Sequence, residues 1–141
     1  MKEIEFRGKR VDGGEWVEGY LFEDEMAAGN KLPFILFGGY VSEGDYGPEL
    51  VDGDIYEVHP HTVCQYIGRK DKNGKKIYFN DIVLHECGGK GVIIWFDDRF
   101  GIASGEAGNY HAVDEITAAE LEECIVIGDI YDNPGLLEIA E

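Results

Sequence analysis

Residues 62–83, TVCQYIGRKDKNGKKIYFNDIV, decide the fold. Two apolar stretches flank the polar run DKNGKK, and the Asn73-Gly74 pair suits a turn that requires positive φ. The segment therefore predicts a β-hairpin around Asn73. The same alternation of short apolar runs and turn residues extends in both directions. Upstream, EIEFR places Ile4 and Phe6 on one face, Asp12–Gly14 turns the chain, and EWVEGYLF carries Trp16, Tyr20 and Phe22 on one side, which predicts an amino-terminal hairpin. After the breaker MAAGNKLP, the stretches PFILFGGY and DGDIYEVHP predict two further strands. Ser42–Asp54, rich in glycine and carboxylates, reads as a surface loop by composition. Downstream, the continuous apolar run Val92–Phe96 predicts a strand covered on both faces, with DRFGIAS as its antiparallel return.

One helix is predicted, near 117–123: Thr117 followed by Glu120 matches a capping box, with Ala118 and Leu121 spaced to face inward. CIVIGDIY then returns to a strand that ends at Asn133-Pro134-Gly135. The fold class is thus mainly β with minor α. The 141 residues suit one domain or two small ones, and 44% hydrophobic residues suffice for a core. Pro60 breaks the strand pattern and places a boundary between residues 1–61 and 62–141.

Twelve Lys and Arg against 29 Asp and Glu leave a formal charge of −17, a field that repels nucleic acid and anionic membranes. Base is concentrated in RKDKNGKK, where Arg69, Lys70, Lys72, Lys75 and Lys76 form a positive island. Between Val11 and Val58 the sole opposing base is Lys31. That asymmetry favours contacts between copies. The amino terminus lacks an apolar signal core and no run approaches the roughly 18–20 apolar residues of a membrane span, so the expected location is cytoplasmic, with no membrane partner. Cys64, Cys87 and Cys124, odd in number and irregularly spaced, fit reduced thiols.

Three stretches together carry a resemblance: FRGKRVDGGEWVEGYL, TVCQYIGRKDKNGKKIYFNDIV and VIGDIYDNPGLL. Their ordered series resembles the YopX family of phage and prophage proteins over nearly the full length. The resemblance implies an irregular, β-rich amino-terminal part, a carboxy-terminal part like a small SH3-type barrel, and assembly into homo-oligomers, with no established activity. The chain departs from the family's middle motif in four places. Cys64 stands where Gly is frequent, Ile67 where Thr is common, Arg69 where Leu is common, and Phe79-Asn80 where Glu-Gly is usual.

Chemistry-bearing residues are sparse. His59, His61 and Cys64 offer imidazole and thiolate ligands for a zinc-like ion, with His85 and Cys87 as further donors. Along a strand, however, Cys64 points away from the histidines unless the chain bends after Pro60, and surface histidines with a packed cysteine are the simpler account. Asp81, Asp97, Asp98, Asp114 and Asp129 are carboxylates without a spacing that announces acid–base catalysis, and CGGKG lacks the spacing of a phosphate-binding loop. No catalytic residue and no cofactor is expected. Tyr66 and Tyr78 border the basic island and would allow stacking on bases, yet the net charge favours a hairpin tip that keeps its turn solvated or docks on an acidic face of a neighbouring copy. Trp16 and Trp95 are expected in the core, and the tail residues Leu136 and Leu137 are a second interface candidate. The reading that follows is a non-enzymatic homo-oligomer that binds a host or phage protein through its acidic surface, in the limit as a mimic of DNA phosphates. Its alternatives are nucleic-acid binding by residues 69–76 and a small metal-dependent hydrolase.

Overall fold

The structure, a computed structural model, describes residues 5–25, 31–86, 89–96, 99–106 and 109–137. The chain divides into two compact units, Glu3–Gln65 and, principally, Tyr66–Glu141. In the first unit, strands β1 (Phe6–Lys9) and β2 (Trp16–Glu25) form the amino-terminal hairpin, with Lys9 opposite Trp16. Strands β3 (Lys31–Gly44) and β4 (Gly47–Glu57) follow, and the antiparallel pairing runs β4–β3–β2–β1 to the start of β5 (Cys64–Lys70). Ile35 and Val58 are fully buried here, and β1 approaches Val58 so closely that a Cβ at Gly8 would lie 2.9 Å from its side chain.

Ser42–Asp54 is not a loop. It is the end of β3, a two-residue turn at Asp45-Tyr46, and most of β4, in unbroken register from Phe34–Glu57 to Gly44–Gly47. β2 accompanies β3 only as far as Leu36, so from Phe37 to Gly44 β3 pairs among the described residues with β4 alone. A two-stranded ribbon has no face that must be covered. Its carboxylates and glycines therefore do not forbid strand, and composition misreads it.

In the second unit, the rest of β5 and β6 (Lys76–Tyr78) form the hairpin predicted around Asn73. Of the Asn73-Gly74 pair, Gly74 carries the positive φ, +82°, at the end of a three-residue loop in which Asp71 N donates to Lys75 O. Five antiparallel strands then form a sheet in the order β10–β9–β8–β7–β11: β7 Asp81–Leu84, β8 Lys90–Phe96, β9 Arg99–Glu106, β10 Asn109–Glu115 and β11 Ile125–Asp129. No ladder among the described residues joins its two ends into the small barrel that the resemblance implies. Helix α1 (Ala118–Glu122) has the predicted capping box, with Thr117 and Glu120 bonded reciprocally.

Strands β7 and β8 are buried on both faces. Val83 and Ile93 pack with Ile67, Ile77, Leu121 and Cys124, whereas Ile82 and Val92, one residue earlier, pack with Leu137. This double burial is why VIIWF reads as a continuous apolar run. It stops short of the expected extent: Trp95 is 63% exposed and joins neither cluster, and it makes a T-shaped ring contact with Phe79, centroids 5.5 Å apart. Trp16 is half-buried rather than core. Among the described residues no helix is long and apolar enough to cross a membrane.

Three buried aspartates hold the turns of this unit. Asp71 accepts from Asn73 N at 2.9 Å, Lys75 N at 2.8 Å and, across 55 residues, Val126 N at 2.9 Å. Asp81 accepts from Tyr78 N at 2.9 Å, and Asp129 accepts from Tyr131 N at 2.9 Å and Asp132 N at 2.8 Å. Replacing Asp71 with Ala removes one acceptor from three amides, and Asp71→Ala is expected to cost about 2–4 kcal/mol in chemical denaturation, with Asp71→Asn intermediate. Equal stability of Asp71→Ala and the parent chain would contradict this account.

Candidate functional site

The histidine–cysteine candidates are separated by local geometry. Pro60–Thr62 forms a single 3-10 turn, and His59 and His61 flank Pro60 with ring centroids 5.7 Å apart. Thr62 closes the turn by donating its Oγ1 hydrogen to His59 O at 2.7 Å and accepting from Lys9 N at 2.9 Å. Cys64 enters β5 buried, its thiol donating to Thr62 O at 3.3 Å. Among the described residues no three of His, Cys, Asp and Glu gather where they would hold a metal ion. His85 pairs with Glu123 at 3.2 Å, Cys124 is buried with its thiol donating to Glu120 O, and Cys87 lies outside the described residues. Asp81 and Asp129 do face each other in the β7–β11 ladder, yet each is occupied by backbone amides. Asp114 is exposed, and Asp97 and Asp98 lie outside the described residues.

The basic hairpin is a rigid, partly neutralised projection. Asp71 fixes its turn from inside, and Lys72 N donates to Cys124 O at 2.9 Å. Lys72 Nζ meets Glu86 at 2.8 Å, and Lys76 Nζ sits 5.3 Å above the Tyr66 ring. Arg69, Lys70 and Lys75 are exposed to solvent. The tail candidates are placed otherwise: Leu137 is buried against Ile82 and Val92, and Leu136 is half-buried against the same cluster. Both are engaged in the core of their unit.

The first unit presents an apolar surface on β2, β3 and β4. Tyr20, Leu36 and Ile55 stand directly opposite one another across β2, β3 and β4, and Phe22 stacks on Phe34 in the next row with centroids 5.4 Å apart. Tyr20 is 70% exposed, Ile55 55% and Phe22 38%, so one face of this three-stranded region is apolar and open to solvent. Strict alternation in GYLFE already marks Tyr20 and Phe22 as one face. What it cannot say is which face is covered, because Leu21 opposite Ile35 supplies an equally apolar second side.

Beside that face lies a cleft of about 300 Å³ lined by Trp16, Val17, Glu18, Phe37 and Tyr56. Its aromatic walls already hold cations from the same chain: Arg7 lies 4.4 Å from the Trp16 ring centroid and Arg10 lies 4.5 Å from that of Tyr56. Arg10 is also paired with Glu15 at 3.1 Å. Glu18 and Phe37 continue the cleft into a neighbouring hollow that reaches Glu5, Tyr20 and Leu36. Neither hollow contains a nucleophile–base pair.

Residues 5–138 match the family model of the YopX protein. The chain belongs to the YopX family. No curated protein matches it. Among solved structures, this YopX-family chain is similar to protein EF1440 from Enterococcus faecalis, with a TM-score of 0.63 and 20% identity over 98% of this chain and 100% of that one. At that identity the likeness concerns the fold alone. Within the family motifs, the residues with definite tasks serve turns: Asp71, Asp81 and Asp129 bind amides, and Asn133 N donates back to Asp129 O.

The Lys72–Glu86 contact has a pH signature. The hydrogen bond and charge of Lys72 hold the Glu86 carboxyl below its ordinary value of 4.5, and Glu86 in turn raises Lys72 above 10.5. The depressed carboxyl contributes above pH 4.5 and loses its contribution as pH falls through its folded value; the raised ammonium contributes below 10.5 and is lost as pH climbs past its folded value. Both partners are therefore charged throughout the neutral range. Carbon-detected NMR titration is expected to place Glu86 below 4.5, and Lys72→Ala is expected to return it upward. An unchanged titration in Lys72→Ala would remove the bridge from solution.

Proposed function

We propose that this chain is a non-catalytic, phage- or prophage-associated module that self-associates and acts by binding protein. The observation that carries the reading is the open apolar face of Tyr20, Phe22, Phe34, Leu36 and Ile55 on β2–β3–β4. Apolar and aromatic area in this continuous arrangement is costly to leave in water and is the usual core of a protein interface. A second copy is the occupant it fits best, since face-to-face stacking of two identical sheets pairs like with like and needs no further partner. The formal charge of −17 supports the second half of the reading. Once assembled, the copies sum their acidic fields, and a basic host or phage protein, such as one that binds nucleic acid, is the partner such a field steers in.

Sedimentation velocity across micromolar concentrations tests this directly. The parent chain is expected to sediment as an oligomer, and the double variant Tyr20→Ser/Ile55→Ser is expected to weaken that association by about 100-fold or more while keeping its far-UV spectrum. Association through this face should survive high salt, because apolar contact is not screened. A monomeric parent chain at every concentration would refute self-association.

A further inference from the structure

The cleft of Trp16, Phe37 and Tyr56 and the hairpin of Arg69, Lys70 and Lys75 are chemically complementary, and neither is used by the apolar face. Aromatic walls with a carboxylate at the rim accept a long aliphatic stem ending in a cation: the stem packs on the rings, the head meets the ring faces and the acid. Here the rim carries two carboxylates. Glu18 lines the cleft, and Asp54 stands directly opposite Phe37 in the β3–β4 ladder; both are exposed. Phe37 itself is 55% exposed. Of the cations nearby on the same unit, Arg7 and Lys9 lie against the Trp16 ring and Arg10, matched by Glu15, lies against Tyr56, so the exposed Phe37 ring with Glu18 and Asp54 beside it is what an incoming side chain would meet.

We infer that the β5–β6 hairpin of one copy docks in the Trp16–Phe37–Tyr56 cleft of a second copy, placing Arg69, Lys70 or Lys75 against Glu18 and Asp54. This rests on the self-associating reading above and adds to it a second, different kind of contact. The chain supplies both halves. Its main positive island projects from a hairpin that Asp71 already holds rigid, so docking orders little additional backbone. The internal partners of Lys72 and Lys76 leave Arg69, Lys70 and Lys75 as the cations turned to solvent. Because hairpin and cleft are different surfaces, the contact is heterologous: it arranges copies head to tail, into a ring where the rotation closes and a filament where it does not.

Trans-complementation tests the inference. One variant, Arg69→Glu/Lys70→Glu/Lys75→Glu, keeps the cleft and loses the hairpin charge; the other, Glu18→Lys/Asp54→Lys, keeps the hairpin and reverses the rim. Each alone is expected to lose the salt-sensitive part of self-association, by on the order of tenfold or more, while an equimolar mixture at low salt regains it in mixed assemblies that contain the two variants in equal number. Light scattering reads the masses, circular dichroism confirms that both variants fold, and the milder Glu18→Gln/Asp54→Asn pair replaces the second should it fail to. If both variants assemble as the parent does, with the same salt dependence, the hairpin–cleft contact is wrong and the apolar-face reading stands. Variants that each lose assembly and do not recover it on mixing also overturn the heterologous contact. A parent chain that stays monomeric overturns this inference together with the reading beneath it.

Discussion

A single carboxylate ties together parts of the second unit that are far apart in sequence. Asp71 takes two amides of its own turn and one from Val126 in β11, and it does so with only 6% of its surface exposed. Burying an ionised group is costly unless its acceptor capacity is filled, and three backbone donors fill it. The same solution recurs at Asp81 and Asp129. Short strands joined by tight turns leave many amides without a ladder partner, and a short acidic side chain is the most compact way to satisfy several at once. The hairpin can then project as a fixed body with its remaining cations free to face outward.

The first unit meets a different constraint. Strands β2, β3 and β4 are long, the well-buried side centres on Ile35 and Val58, and among the described residues of this unit no α-helix covers the other side. An antiparallel sheet tolerates one solvated face, but that face is ordinarily polar. Here Tyr20, Leu36 and Ile55 occupy it, with Phe22 and Phe34 in the next row and Glu57 opposite Phe34 at its edge. Such a face is costly to leave in water, which is the physical ground for the assembly proposed above.

Most strand locations were legible because alternation and glycine punctuation are local signals. The hairpin at Asn73 and the capping box at Thr117 followed directly from residue chemistry, whereas the last strand ends at Asp129, before the Asn133-Pro134-Gly135 stop, because Asp129 takes the amides of Tyr131 and Asp132 in a turn. Three further features did not follow. Ser42–Asp54 has the composition of a loop, and only its partner strand makes it β. Trp95 belongs to an apolar run whose first residues are covered on both faces, and where that cover ends is set by tertiary packing against Leu121 and Leu137. Leu136 and Leu137 were ambiguous between core and interface because a short apolar tail reads alike in either role. For the candidate surfaces, the aromatics themselves were visible, but their exposure depends on which of two apolar faces is covered.

The departures from the family pattern now separate into two kinds. Asn80 has φ of +74°, a conformation that glycine adopts freely and asparagine tolerates better than other residues, so Asn where the family usually has Gly preserves the turn. It also adds a bond, donating from Nδ2 to Tyr131 Oη at 3.0 Å. Ile67 in place of Thr is likewise absorbed, since its side chain is buried in the main cluster of the second unit. Arg69 is of the other kind. It is exposed, holds no turn, and puts a charge on the hairpin where leucine is common. A substitution of that sort leaves the scaffold untouched and changes what the hairpin can dock against. If the hairpin seats in a cleft rimmed by Glu18 and Asp54, a leucine at this position would lose attraction to that rim, and the charge at residue 69 becomes a means by which copies of this chain prefer one another.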